Sequence, residues 1–215
     1  MSPTDILERS VPAVAGPGGP PGPGAPGQEG DGGDRPAPSS REVMRFGIWL
    51  MLGTLSMMFI GFTSAFMVRR IAGDWRPLPL PSILWVNTLA LMASSVVLEI
   101  ARRALKAWDL PGAQRWLGLT GLLGALFAAG QLVAWRQLAA QGVFLASDPH
   151  SSFFYMLTGV HLAHLAGGLV WFAAAFTRLR RLAYAPGEDG LGLFATYWHF
   201  VGGVWAYLLL LLYVL

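Results

Sequence analysis

Phe153-Phe154-Tyr155-Met156-Leu157-Thr158-Gly159-Val160-His161-Leu162-Ala163-His164 continues through Gly167-Gly168 to Phe176 without one charged side chain. As a helix this run is about 36 Å long, enough to cross the roughly 30 Å hydrocarbon layer of a bilayer. Working outward, Gly192–Leu215 follows it, and Trp116–Trp135, Ser82–Ala101 and Phe46–Val68 precede it with the same apolar character. Lipid offers no hydrogen bonds, so each backbone must satisfy itself and the spans are predicted to be helices. The connections are short, which makes sequential neighbours antiparallel. The sequence therefore predicts an all-α fold, a polytopic membrane five-helix bundle over residues 46–215. A disordered Pro/Gly-rich N-terminal tail is predicted over residues 1–45.

Composition agrees. The 215 residues are 54% hydrophobic and 13% charged, against about 25% charged in soluble domains, and the mean hydropathy is +0.50. Residues 1–40 hold nine Pro and nine Gly, a composition that cannot bury a core. Met1 to Leu7 is polar, so no signal peptide is expected and the tail should stay on the side where it is made. The tail and the second and fourth connections hold 11 Lys and Arg, while the first and third connections and the C-terminus hold 4. The excess predicts a cytoplasmic N-terminus and an external C-terminus. Topology thus accounts for the net charge of +3, and no nucleic-acid partner is implied.

The chain has no cysteine and four histidines. Disulfides, iron–sulfur clusters, thiolate zinc sites and two-cysteine copper centres are excluded. No nucleophile–base pair, phosphate loop or zinc-protease motif is present, and no broken helix suggests a transporter. Glu99 is the one acid inside a predicted span; Arg102 and Arg103 follow at i+3 and i+4, the spacing of a helix ion pair. His161 and His164 share a face of the fourth span, and His199 lies in the fifth. A bis-histidine haem would need two of them at one height, yet His164 and His199 differ in depth by roughly 9 Å at 1.5 Å per residue. Hydrogen bonding between helices, to a partner or to lipid is the expected use of these imidazoles. Gly61 and Ala65, Gly118, Gly121, Gly124 and Ala128, and the pairs Gly167-Gly168 and Gly202-Gly203 are expected to let helices approach closely.

The run from Phe153 to Leu169 resembles the "FFxLTGxHxxHVxGG" signature of cytochrome c oxidase subunit III. Tyr197-Trp198-His199-Phe200-Val201 with Trp205 resembles that family's closing "YWHFVDxVW", and Gly47-Ile48-Trp49-Leu50 through Ser64-Ala65-Phe66 is similar to its "GxWLFLASExMFF" helix. The likeness covers residues 46–215 in the five-span bacterial form. Two positions depart from it: Leu55 stands where the family's carbodiimide-reactive glutamate aligns, and Gly202 replaces the aspartate after "YWHFV". Thr63 through Arg70, followed by Asp74-Trp75, resembles a branch that also lacks the glutamate.

The resemblance implies an accessory subunit of an oxidoreductase complex, not itself catalytic, in the bacterial plasma membrane. It would carry no cofactor, the haem and copper lying in the catalytic subunit I and the copper subunit II. It would pack on subunit I, bind phospholipid and sustain oxygen reduction coupled to proton uptake. His161, His164, Trp198, His199 and Trp205 are expected at lipid or subunit interfaces, and Glu99 with Arg102 and Arg103 as an ion pair. A quinol oxidase subunit III, or a small b-type cytochrome using His161 or His164 with His199, are the alternative readings.

Overall fold

In a computed structural model, residues 40–71, 80–181 and 189–214 are described. The tail through residue 39, and Asp74-Trp75 with Leu78-Pro79 of the first connection, lie outside them. Five helices follow in order: α1 Ser40–Arg70, α2 Ile83–Lys106, α3 Leu110–Ala140, α4 Pro149–Arg180 and α5 Gly192–Val214. All five are long and apolar enough to cross a membrane.

The helices outrun the apolar windows that predict them, α3 reaching 31 residues and α4 32, because their ends are capped. Asp109 accepts a hydrogen bond from the Gly112 amide at 3.0 Å, so Leu110-Pro111-Gly112 is the first turn of α3 rather than a break before it. Proline suits that turn, where its missing N–H would have no partner anyway. Asp148 and Ser151 bond each other's backbone amides in a capping box at the start of α4, with Pro149 in its first turn. Two helix ends close alike. Gly142 (φ 78°) ends α3 while Val143 N–H reaches back to Leu138 O at 3.0 Å. Trp108 (φ 60°) ends α2 while Asp109 N–H reaches Ala104 O at 2.9 Å. Glycine normally takes that left-handed position; tryptophan there costs about 1 kcal/mol.

Burial along α2 falls on Leu84, Asn87, Leu91, Ser94, Leu98, Ala101 and Leu105, alternating steps of three and four. Apolar positions in that rhythm form the seam of left-handed helix pairs. Here Leu fills one register and the smaller Asn87, Ser94 and Ala101 fill the other. On α3 the same rhythm runs from Ala113 and Leu117 through Gly124, Phe127 and Gln131 to Leu138. On α4 it runs through Phe154, Thr158, His161, Leu165 and Gly168. Helix α2 packs on α3, α3 on α4, α4 on α5, and α5 back on α2, closing a four-helix ring. Helix α1 lies outside the ring, against α4 and α5.

Candidate functional site: the polar seams between helices

Three seams use one device, four times in all: an aromatic N–H or O–H donates to a Ser or Thr hydroxyl, and that hydroxyl donates onward to a carbonyl of its own helix. Trp198 Nε1 bonds Ser94 Oγ at 3.0 Å, and Ser94 bonds Leu91 O at 2.7 Å. Trp205 Nε1 bonds Thr88 Oγ1 at 2.9 Å, and Thr88 bonds Leu84 O at 2.8 Å. Trp135 and Thr158 repeat it between α3 and α4 at 3.1 Å, as do Tyr207 and Thr63 between α5 and α1 at 2.9 Å. Tyr197 adds a bond of 2.8 Å to the His164 carbonyl. In lipid, where apolar contact alone does not drive association, hydrogen bonds and close packing decide which faces meet. Glycines supply the closeness. A Cβ on Gly124 would lie 2.8 Å from the Trp198 ring, and one on Gly121 would strike Phe172. Gly61, expected to serve the same purpose, has nothing within 4 Å.

The histidines occupy separate environments. His161 is 1% exposed, its ring 5.8 Å from Phe127 and 5.1 Å from Trp205, centroid to centroid. His164 is half-buried; its Nδ1 lies 2.7 Å from Val160 O and its ring 6.1 Å from Phe59 of α1. His199 is exposed and borders an open groove with Ser95, Glu99 and Arg103. His161 packs within the ring, His164 against α1 and His199 along the α2 edge. The pairing of His161 or His164 with His199 that a b-type cytochrome requires gains no support from this arrangement. Among the described residues no group of three His, Cys, Asp or Glu could hold a metal.

Of the five residues expected at interfaces, three lie inside this chain. His161, Trp198 and Trp205 are at most 1% exposed, so they reach neither lipid nor a partner; they hold this chain's own helices together. The buried rhythm of α4 and α5 carries them inward. Only His164 and His199, of the five, have surface to offer.

At the end of the bundle where α2 and α4 finish, Glu99 Oε2 lies 3.3 Å from Arg102 and Oε1 3.5 Å from Arg103. Arg102 also grips Asp189, before α5, with its Nε 2.8 Å from Oδ1 and a second, shorter contact through Nη2. Lys106 approaches the same carboxylate at 3.4 Å. The Arg102 hydrogen bonds hold the Asp189 carboxyl below its ordinary range. The sequence offered Arg102 one partner on its own helix, Glu99, and held no sign of this second partner 87 residues away.

Deeper in the ring, Asn87, Gln131 and His161 are all at most 4% exposed. Asn87 Nδ2, both polar atoms of Gln131 and His161 Nε2 find no hydrogen-bond partner among the described residues. Each such group costs about 1–3 kcal/mol if left unmet.

A family model described as cytochrome c oxidase subunit III matches residues 32–215. The chain is 32% identical to a cytochrome c oxidase subunit 3 of Synechocystis over 181 residues, covering 81% of this chain and 76% of that one. It is 33% identical to a probable cytochrome c oxidase subunit 3 of Mycobacterium bovis, covering 80% and 88%. A third relative, from Thermostichus vulcanus, is 32% identical over 79% and 86%. With five membrane-crossing helices and bacterial relatives, this is a multi-pass bacterial membrane protein. The order of its spans, the closing aromatic–histidine motif and these likenesses agree: the chain belongs to the cytochrome c oxidase subunit III family.

Proposed function

We propose that this chain is the accessory, non-redox subunit III of a haem–copper terminal oxidase. It packs on the catalytic subunit in the plasma membrane, binds phospholipid, and supports oxygen reduction coupled to proton uptake. The observation that carries this reading is the family match spanning all five helices. The separate settings of the histidines support the further statement that haem and copper belong to its partners, the catalytic and copper subunits. The charge asymmetry supports a cytoplasmic N-terminus and an external C-terminus. The apolar face of α1, including Trp49, Met57 and Ile60, is exposed and suits lipid or a larger neighbour. The test is purification of the tagged full-length chain in mild detergent. Co-elution with haem- and copper-bearing subunits that oxidise cytochrome c is expected. A chain eluting alone, while an intact oxidase elutes without it, would overturn the reading.

A further inference from the structure

The unmet polar groups of Asn87, Gln131 and His161 sit at one level of the ring. The α3–α4 register runs through Gly121 opposite Phe172, Gly124 opposite Leu169 and Trp135 bonded to Thr158. Continued, that antiparallel register puts Gln131 at the height of His161 and Leu162. Asn87 lies directly against Gly130, the neighbour of Gln131, where a Cβ would collide with its Oδ1. Thr88, next to Asn87, holds Trp205, whose ring faces His161. Helices α2, α3 and α4 thus each bring one buried polar side chain to the same depth, and α5 closes the level with Trp205.

The chemistry of the group that would complement them is narrow. Asn87 Nδ2 and Gln131 Nε2 donate, Gln131 Oε1 accepts, and His161 Nε2 does either according to its tautomer. None of the three carries a carboxylate or a fixed positive charge, so nothing here compensates a bound ion. Asn87 lies against the Gly130 backbone, so α2 and α3 meet closely on that side of the level. A molecule with two donors and two acceptors and no charge meets every requirement. We propose that the four-helix ring encloses an internal water site bounded by Asn87, Gln131 and His161, in which ordered water links α2, α3 and α4. Buried waters of this kind take about three hydrogen bonds from otherwise unsatisfied groups. The site ties the three helices in register across an apolar core, as a polar group at a seam position does in coiled coils. It stands independently of which oxidase the chain serves.

The test is a structure of the full chain in its native complex at a resolution that shows ordered water. Density for at least one water within hydrogen-bonding distance of both the Gln131 amide and His161 Nε2 is expected. A dry interior, with Gln131 bonded directly to His161 or Asn87, would overturn the proposal. In Gln131→Met, a near-isosteric change, that water should be lost while the helices keep their positions. Should this variant fail to assemble, the wild-type map alone decides. A second readout is the ring-nitrogen NMR of His161 in the labelled chain. A shift at Nε2 on Gln131→Met is expected, whereas an unchanged signal with the water density absent contradicts the site.

Discussion

Helices α1 and α5 are alike as sequences and opposite as structures. The most apolar window of α1 is no less hydropathic than that of α5, yet 22% of it is buried against 50% for α5. Helix α5 meets α2 and α4 with Trp198, Trp205 and Tyr197, each donating a hydrogen bond across a seam. Helix α1 is joined to α5 by the Tyr207–Thr63 bond and packs on α4 with Phe59 and Phe66. In a bilayer, apolar content therefore says that a helix spans, not that it is interior. Position inside the ring follows polar aromatic donors, small residues and the hydroxyls that receive them.

Glycines in the two places should respond differently. Gly124→Leu should destabilise the protein by about 3 kcal/mol or more, because the Trp198 ring, held on both sides, has nowhere to go. Gly61→Leu on α1 should change stability by no more than about 0.5 kcal/mol. Unfolding of the detergent-solubilised protein measures both, and equal losses would contradict the division into ring and outlier. The seam bonds should differ in the same sense. Trp198→Phe and Trp205→Phe should each cost about 1–2 kcal/mol through a lost bond and lost volume, whereas Tyr207→Phe should cost about 0.6 kcal/mol.

A smaller effect is expected at the charged end. Arg102 depresses the Asp189 carboxyl, so the contact's contribution is present above the ordinary carboxylate value of about 4. It is lost as pH falls through the lower folded value. Arg102→Gln should move Asp189 titration upward and raise amide exchange at Gly190 to Gly192, leaving the bulk of the helices protected. Unchanged exchange there would mean that Asp189 is anchored otherwise. The smallest effect is a null one: α1 has no acid from Val43 to Arg70, and Leu55 is buried. Carbodiimide should leave that span unlabelled by mass spectrometry; a labelled peptide from it would contradict the register of the family likeness.

Much of the fold is legible in residues. Five apolar runs give the helices and their order. Their lengths were less legible, because Asp109 and Asp148 start helices well before the apolar windows begin. The faces were hidden for a physical reason. A helix that is apolar all round shows no hydrophobic period, so the inward stripe of α4 cannot be told from its lipid side by hydropathy. The readable signal lay in the minority residues: Asn87, Ser94 and Ala101 recur every seventh position on α2, and Gly124 and Gln131 share such a register on α3. That pattern would have placed Asn87 and Gln131 inside, and by analogy His161. The Arg102–Asp189 contact could not be read at all, since nothing in either local sequence specifies the return of a loop to α2.

The proposed accessory role requires aromatic and histidine side chains that build walls rather than hold electron carriers. The most direct measurement is the optical spectrum and metal content of this chain once separated from its partners. It should show no Soret band and no stoichiometric iron or copper. A Soret band that disappears on His199→Ala, or one bound metal per chain, would contradict it.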